Sequence, residues 1–214
     1  NANLLYNLAV CYLNNDQPIE AEEVLLREIR IRPFHASSHL ALAKANFAMG
    51  RIAQSYLAYN MAILMSPDIS YLTEFEETVT GKNDTLSKPY NYTYPEGFNH
   101  RKWDELSLLL KSQIVFSEDF KYPGELNYLT TKQSYLLFTK MNFEPADTSL
   151  YNQFYVRFFK GIMDKENFNT LLFYSFKEVN KQQIADWHKK NSDEFKSFIE
   201  YCQNSIVRLR DFNY

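Results

Sequence analysis

The stretch Tyr6–Pro33, "YNLAVCYLNNDQPIEAEEVLLREIRIRP", decides the fold. It reads as two amphipathic helices, the second stopped by Pro33. Within "NDQP", Asp16 is expected to cap the second helix. Pro18 falls in its first turn, where the missing N–H donor costs nothing. Something similar follows 34 residues later: Pro33 and Pro67 share that interval, as do Asp16 and Gly50, Leu8 and Leu42, and Ala9 and Ala43. Ala21 and Ser55 are related in the same way. A fixed period of this length is the mark of stacked supersecondary units.

The grid has a physical reading. Ala9, Ala21, Ala43 and Ala62 let paired helices approach to the short end of the roughly 8–10 Å interaxial range. Tyr12 and Tyr59 are expected to fill the gaps between neighbouring hairpins. Pro33 and Pro67 end each second helix, because proline lacks the N–H and clashes with the preceding turn.

On these residues the chain resembles the tetratricopeptide repeat family over residues 1–66. The family wants a large residue, Leu, a small residue and an aromatic on its first helix. It wants small, aromatic and small residues on the second, then proline. The first repeat offers Leu5, Leu8, Ala9 and Tyr12, then Ala21, Leu25 and Pro33. The second offers His39, Leu42 and Ala43, then Ser55, Tyr59, Ala62 and Pro67. Glu28 stands where a small residue is usual and Asn46 where an aromatic is usual, and each is expected to loosen local packing. The resemblance implies an all-α fold: an α-solenoid of helical hairpins, its end covered by a polar-faced capping helix. "PDISYLTEFEETVTG" suits that cap, with Ile69, Leu72, Phe75 and Val79 at helical spacing and Gly81 as terminator. Residues 1–80 are therefore expected to hold two hairpins and a cap.

Composition changes afterwards. Of 35 aromatic residues, 29 lie beyond residue 70, so the second half is expected to fill its core with rings. Residues 81–99, with two prolines and alternating Tyr90, Tyr92 and Tyr94, read as a linker. Residues 100–214 read as a helical module whose family the residues do not disclose. Trp103, Leu106, Leu109, Leu110 and Ile114 form one stripe. Leu150, Tyr151, Phe154, Tyr155, Phe158, Phe159 and Ile162 form a broader one behind capping residues Asp147–Ser149. Further helices are expected over 166–176 and 182–189. The last carries Phe195, Phe198, Ile199, Cys202, Ile206 and Leu209, started by Asn191–Asp193. This module is expected to pack on the last hairpin and its cap.

The remaining signals narrow the function classes. A formal net charge of −3 from 23 basic and 26 acidic residues gives no basic patch for nucleic acid. Cys11 and Cys202 are too few for a disulfide framework or a thiolate zinc site, and both are expected to be buried small hydrophobes. No apolar run reaches the roughly 18–20 residues that span a bilayer. The chain opens inside a helical pattern, so further repeats are expected upstream, where a signal or anchor would be invisible. His35 and His39 have i, i+4 spacing without the intervening Glu or third ligand of a metal helix. The pairs Glu76–Glu77, Asp104–Glu105 and Glu118–Asp119 point apart on a helix. Neither catalytic residues nor a cofactor are expected. Abundant Asn, Lys, Phe and Tyr suggest an AT-rich, bacterial genome and leave the compartment, cytoplasmic or envelope-associated, undecided.

What the family resemblance implies for function is a concave face lined by first helices. It maps to Asn3, Tyr6, Asn7, Val10, Leu13 and Asn14, and to Ser37, Leu40, Ala41, Lys44, Phe47 and Ala48. Asn3 and Asn7 could bond an extended peptide backbone, since an amide both donates and accepts. Tyr6, Leu40 and Phe47 could hold apolar side chains. Tyr6 and Val10 stand where carboxylate-clamping relatives use Lys and Asn, so a chaperone-tail receptor is not expected. The leading expectation is a non-catalytic adaptor or scaffold subunit that holds a protein partner. A helical enzyme or ligand pocket at 100–214, with His188 and Asp186 converging on another acid, is the alternative. A subunit of an envelope or secretion assembly is a third.

Overall fold

The computed structural model describes residues 2–79, 100–112, 114–179 and 181–208. Among them every regular element is helical. Five helices come first: α1 Ala2–Asn14, α2 Pro18–Ile31, α3 Ala36–Ala48, α4 Ile52–Met65 and α5 Ile69–Val79. Then follow α6 His100–Lys111, a 3₁₀ turn at Ile114–Phe116, and α7 Leu129–Lys140. A π-helical segment, Tyr151–Val156, runs straight into α8 Arg157–Asp164; α9 Phe168–Ser175, α10 Lys181–Lys190 and α11 Ser192–Val207 close the chain. No helix among the described residues is long and apolar enough to cross a membrane. Gly81, the tyrosines at 90, 92 and 94, and Leu209 lie outside the described residues.

The 34-residue interval reappears in the backbone. Asp16 (φ 57°) and Gly50 (φ 75°) both take the left-handed conformation that ends a helix. The amide of Gln17 donates to the Tyr12 carbonyl at 2.9 Å, and the amide of Arg51 to that of Asn46 at the same distance. At the next stop, Arg32 N–H donates to Glu28 O and Ser66 N–H to Ala62 O, again at 2.9 Å each. Asp16 is therefore not the cap that the spacing suggests. It makes the left-handed turn, and Gln17 holds the N-cap position without a side-chain bond, ahead of Pro18.

Small residues sit where helices meet. Ala9, Ala21, Ala43 and Ala62 are all fully buried, and the Ser55 hydroxyl donates to Ala43 O at 2.9 Å across α3 and α4. Helix α1 packs on α2, α2 on α3, and α3 on α4. Helix α4 then touches α5, α6, α7, α9 and the π segment. Its sequence, "IAQSYLAYNMAILM", is apolar on nearly every side, which is how a helix surrounded by others must read. Tyr59 stacks on Phe75 of α5 at 4.6 Å, while Tyr12 is only half-buried.

The second half lays its rings against this hub. Trp103, Leu106 and Leu110 of α6 are buried, and Phe138 of α7 stacks on Phe159 of α8 at 4.4 Å. Leu150, Tyr151, Phe154, Tyr155, Phe158, Phe159 and Ile162 are all buried. The Ser149 amide donates to Asp147 Oδ1 at 2.9 Å, which starts that segment. Ile114 departs from the stripe assigned to it: α6 ends at Lys111, and Ile114 is 40% exposed in the short turn beyond.

Candidate partner-binding surface

The face that first helices were expected to share divides in two. On α1, Asn3 and Asn7 are exposed, and Tyr6 and Val10 are half-buried. Asn3 Oδ1 accepts from Arg32 Nη1 at 2.6 Å, and Tyr6 stands edge-on to His35 at 5.0 Å. Both are thereby held in place by the α2–α3 turn. An ordered amide beside an open apolar edge loses little entropy when a partner's backbone arrives.

On α3 the expectation fails. Leu40 and Phe47 are 8% and 7% exposed, so neither can hold a ligand side chain. Helix α5 reaches this helix at two points: Lys44 Nζ pairs with Glu74 Oε1 at 2.8 Å, and the Ser37 and Tyr71 hydroxyls lie 3.4 Å apart. Lys44 is spoken for by its carboxylate, although a half-exposed pair of this kind contributes little stability.

One of the two residues that looked like misfits in the sequence pattern, Asn46, belongs to a buried polar joint. Asn46 is fully buried, and its Nδ2 donates to the Tyr151 hydroxyl at 2.6 Å. That hydroxyl donates in turn to Glu22 Oε1 at 2.6 Å, and Arg51 Nη1 reaches both Glu22 oxygens at 2.8 and 2.6 Å. Burial, and then the neighbouring Glu22 carboxylate, push the Tyr151 phenol well above its ordinary range. So Asn46 does not loosen the packing: a ring from the second half of the chain lies against it. Glu28 is likewise fully buried and engaged, with Arg32 Nε donating to its Oε1 at 2.6 Å.

His39 completes the joint. Its Nε2 lies 2.8 Å from the Pro33 carbonyl, which can only accept, so Nε2 carries the proton. Nδ1 then accepts from the Tyr155 hydroxyl at 2.7 Å. Burial lowers the His39 pKa to about 4. The π turn makes this possible by keeping Tyr151 and Tyr155 side by side, 5.8 Å between ring centroids, with one hydroxyl on Asn46 and the other on His39. Farther along the seam, the Tyr56 hydroxyl donates to Gln133 Oε1, and Asn60 Nδ2 to Ser134 Oγ at 2.9 Å. The sequence reading took Tyr151 and Tyr155 only as core rings. The one available signal was the pair of misfits, Glu28 and Asn46, in an otherwise regular pattern.

Other candidates fall elsewhere. His35 Nδ1 lies 2.6 Å from Ser38 Oγ, while both His39 nitrogens face the joint, so the two rings do not share a ligand position. His188 packs against Phe195 at 4.0 Å, and burial lowers its pKa. Asp186 accepts from Gln182 on its own helix at 3.1 Å. Cys202 is buried, but Cys11 is exposed, contrary to the expectation for both. An open groove of about 610 Å³ runs between α6 and the residues after α7, with Arg101, Lys140 and Asn142 among its walls. Comparison with family models, with curated proteins and with solved structures returns no match, so what this surface does rests on its geometry.

Proposed function

We propose that the chain is a non-catalytic adaptor: the end of a tetratricopeptide-type helical solenoid joined to a C-terminal helical module, holding a segment of a protein partner. The observation that carries this reading is the ordered, uncovered stripe of α1. Asn3, Tyr6, Asn7 and Val10 stand on a helix braced by α2, with Asn3 and Asn7 exposed. Recurrence of the same turn bonds at 34 residues supports the solenoid part of the reading. The partner contacts are the α1 residues Asn3, Tyr6, Asn7 and Val10. Nucleic acid is not the partner, since a formal net charge of −3 offers no excess of basic residues.

Affinity purification of the full-length protein followed by mass spectrometry tests it. An Asn7→Lys, Val10→Glu double variant should lose the captured partner by at least about tenfold, which corresponds to about 1.4 kcal/mol, with unchanged helical circular dichroism. Undiminished capture by that variant would refute the surface. A second reading, a helical enzyme or ligand-binding domain at 100–214, draws on the groove beside α6. Loss of partner capture on Arg101→Glu and Lys140→Glu, with the α1 variant unaffected, would favour it.

A further inference from the structure

The π segment that carries Tyr151 and Tyr155 into the joint also supplies Gln153 and Phe154 to a pocket of about 200 Å³. Arg157 and Phe158, which open α8, form a second wall, and Tyr201, Ser205 and Arg208 from α11 and its end form a third. A π turn closes its hydrogen bonds over more residues than an α turn, and such turns recur at functional sites. None of these residues lines the groove beside α6.

The Tyr201 wall is fixed in place. Its hydroxyl donates to the Phe158 carbonyl at 2.8 Å, and a β-carbon on Gly161 would collide with that hydroxyl. Glycine inside a helix costs stability, and here it admits the phenol to the α8 backbone. Burial raises the Tyr201 pKa, and among lesser influences Asp164 raises it and Arg208 lowers it, so both charges lie near the ring. Lys165 Nζ stands 5.7 Å from the ring centroid.

Charge and size say what fits. Among the described residues lining the pocket, the charged ones are Arg157 and Arg208, and none is acidic. That is a local excess of positive charge on a chain whose formal net charge is −3. The Arg157 guanidinium lies over the Phe143 ring at 4.1 Å, which orients its plane. A guanidinium presents a planar fork of donors that matches a carboxylate or phosphate. Drug-sized sites enclose roughly 300–1,000 Å³, so this smaller pocket takes no more than a head group and a short body. We propose that it binds a small aromatic oxyanion, a carboxylate or phosphate ester borne on one ring. Arg157 and Arg208 hold the head group, and Tyr201 lies against the ring. This site does not rest on the adaptor reading.

Isothermal titration calorimetry of the full chain tests it. Phenyl phosphate and benzoate share a ring and differ in head group, and inorganic phosphate is the control without a ring. One ring-bearing probe should bind about tenfold or more tightly than inorganic phosphate, and the tighter of the two identifies the head group. Arg208→Ala should weaken that probe by about tenfold or more with unchanged circular dichroism, since Arg208 is exposed and the variant should fold. Arg157→Ala should do the same, while Asn7→Lys with Val10→Glu should leave the affinity unchanged. Absence of binding by both ring-bearing probes at millimolar concentration would overturn the proposal. So would equal affinity for inorganic phosphate, which would mean an adventitious ion only, and so would undiminished binding in Arg208→Ala. Loss on Arg101→Glu with Lys140→Glu, with Arg208→Ala unaffected, would overturn it by placing the ligand in the groove beside α6.

Discussion

The Tyr155 hydroxyl lies 2.7 Å from Nδ1 of His39, a residue 116 positions earlier in the chain. With Pro33 O on the opposite ring nitrogen, the pair fixes the imidazole in one neutral tautomer and ties the second half of the chain to the second hairpin.

That bond makes stability depend on pH. Burial holds His39 at about 4 in the folded chain, against 6.5 when unfolded. Between those values the unfolded chain binds the extra proton, so stability falls as pH drops from about 6.5 towards 4 and is fully present above it. The full shift corresponds to at most about 3 kcal/mol. Thermal melts across that window should show a shallower acid loss for His39→Gln than for the native chain. His35, also shifted down by burial, contributes to both curves. Parallel curves for the two proteins would show that His39 is not the group responsible.

The Glu22–Arg51–Tyr151 cluster should be costly to break from either side. Tyr151→Phe leaves Glu22 one donor short and should cost about 1–3 kcal/mol. Glu22→Gln leaves the Arg51 charge buried without its carboxylate and should cost about 3–5 kcal/mol. For a chain of this size each kcal/mol moves the melting temperature by about 2–4 °C. A Glu22→Gln protein that melts with the native chain would mean that the cluster is hydrated in solution.

Ala21 and Ala43 have no exposed surface, and the helices around them touch through small side chains. Ala21→Trp or Ala43→Trp should therefore force α2, α3 and α4 apart and cost well over the roughly 1–3 kcal/mol of ordinary overpacking. Differential scanning calorimetry should show an early transition in both variants. Native-like melting would place these alanines outside the helix contacts.

The two thiols should behave differently. Cys11 is exposed, while burial pushes the Cys202 thiol up to about 12 and hides it from reagent. Since the thiolate is the reactive form, titration of the native chain should count one fast thiol, and titration in denaturant should count both. Two fast thiols in the native chain would mean that α11 opens readily from its neighbours.

Much of the helical skeleton was legible from the residues. Pro33, Pro67 and the Asp16–Gly50 pair mark stops and turns whose causes lie within a few residues: a missing donor, a ring clash, a left-handed φ. The role of Asp16 was misjudged for an equally local reason, since Asp suits a cap and a left-handed turn alike. The joint was not legible. Asn46 and Tyr151 are 105 residues apart, and no periodicity within one helix reports what will cover it.

The division follows the range of the forces. Propensity, breakers and apolar spacing act over one or two turns, so they wrote the helices and their stops into the chain directly. Burial is a property of what arrives from elsewhere. Glu22 and Asn46 went under Tyr151, while Leu4 and Leu8 stayed exposed, because a distant segment packed at one place and not at the other.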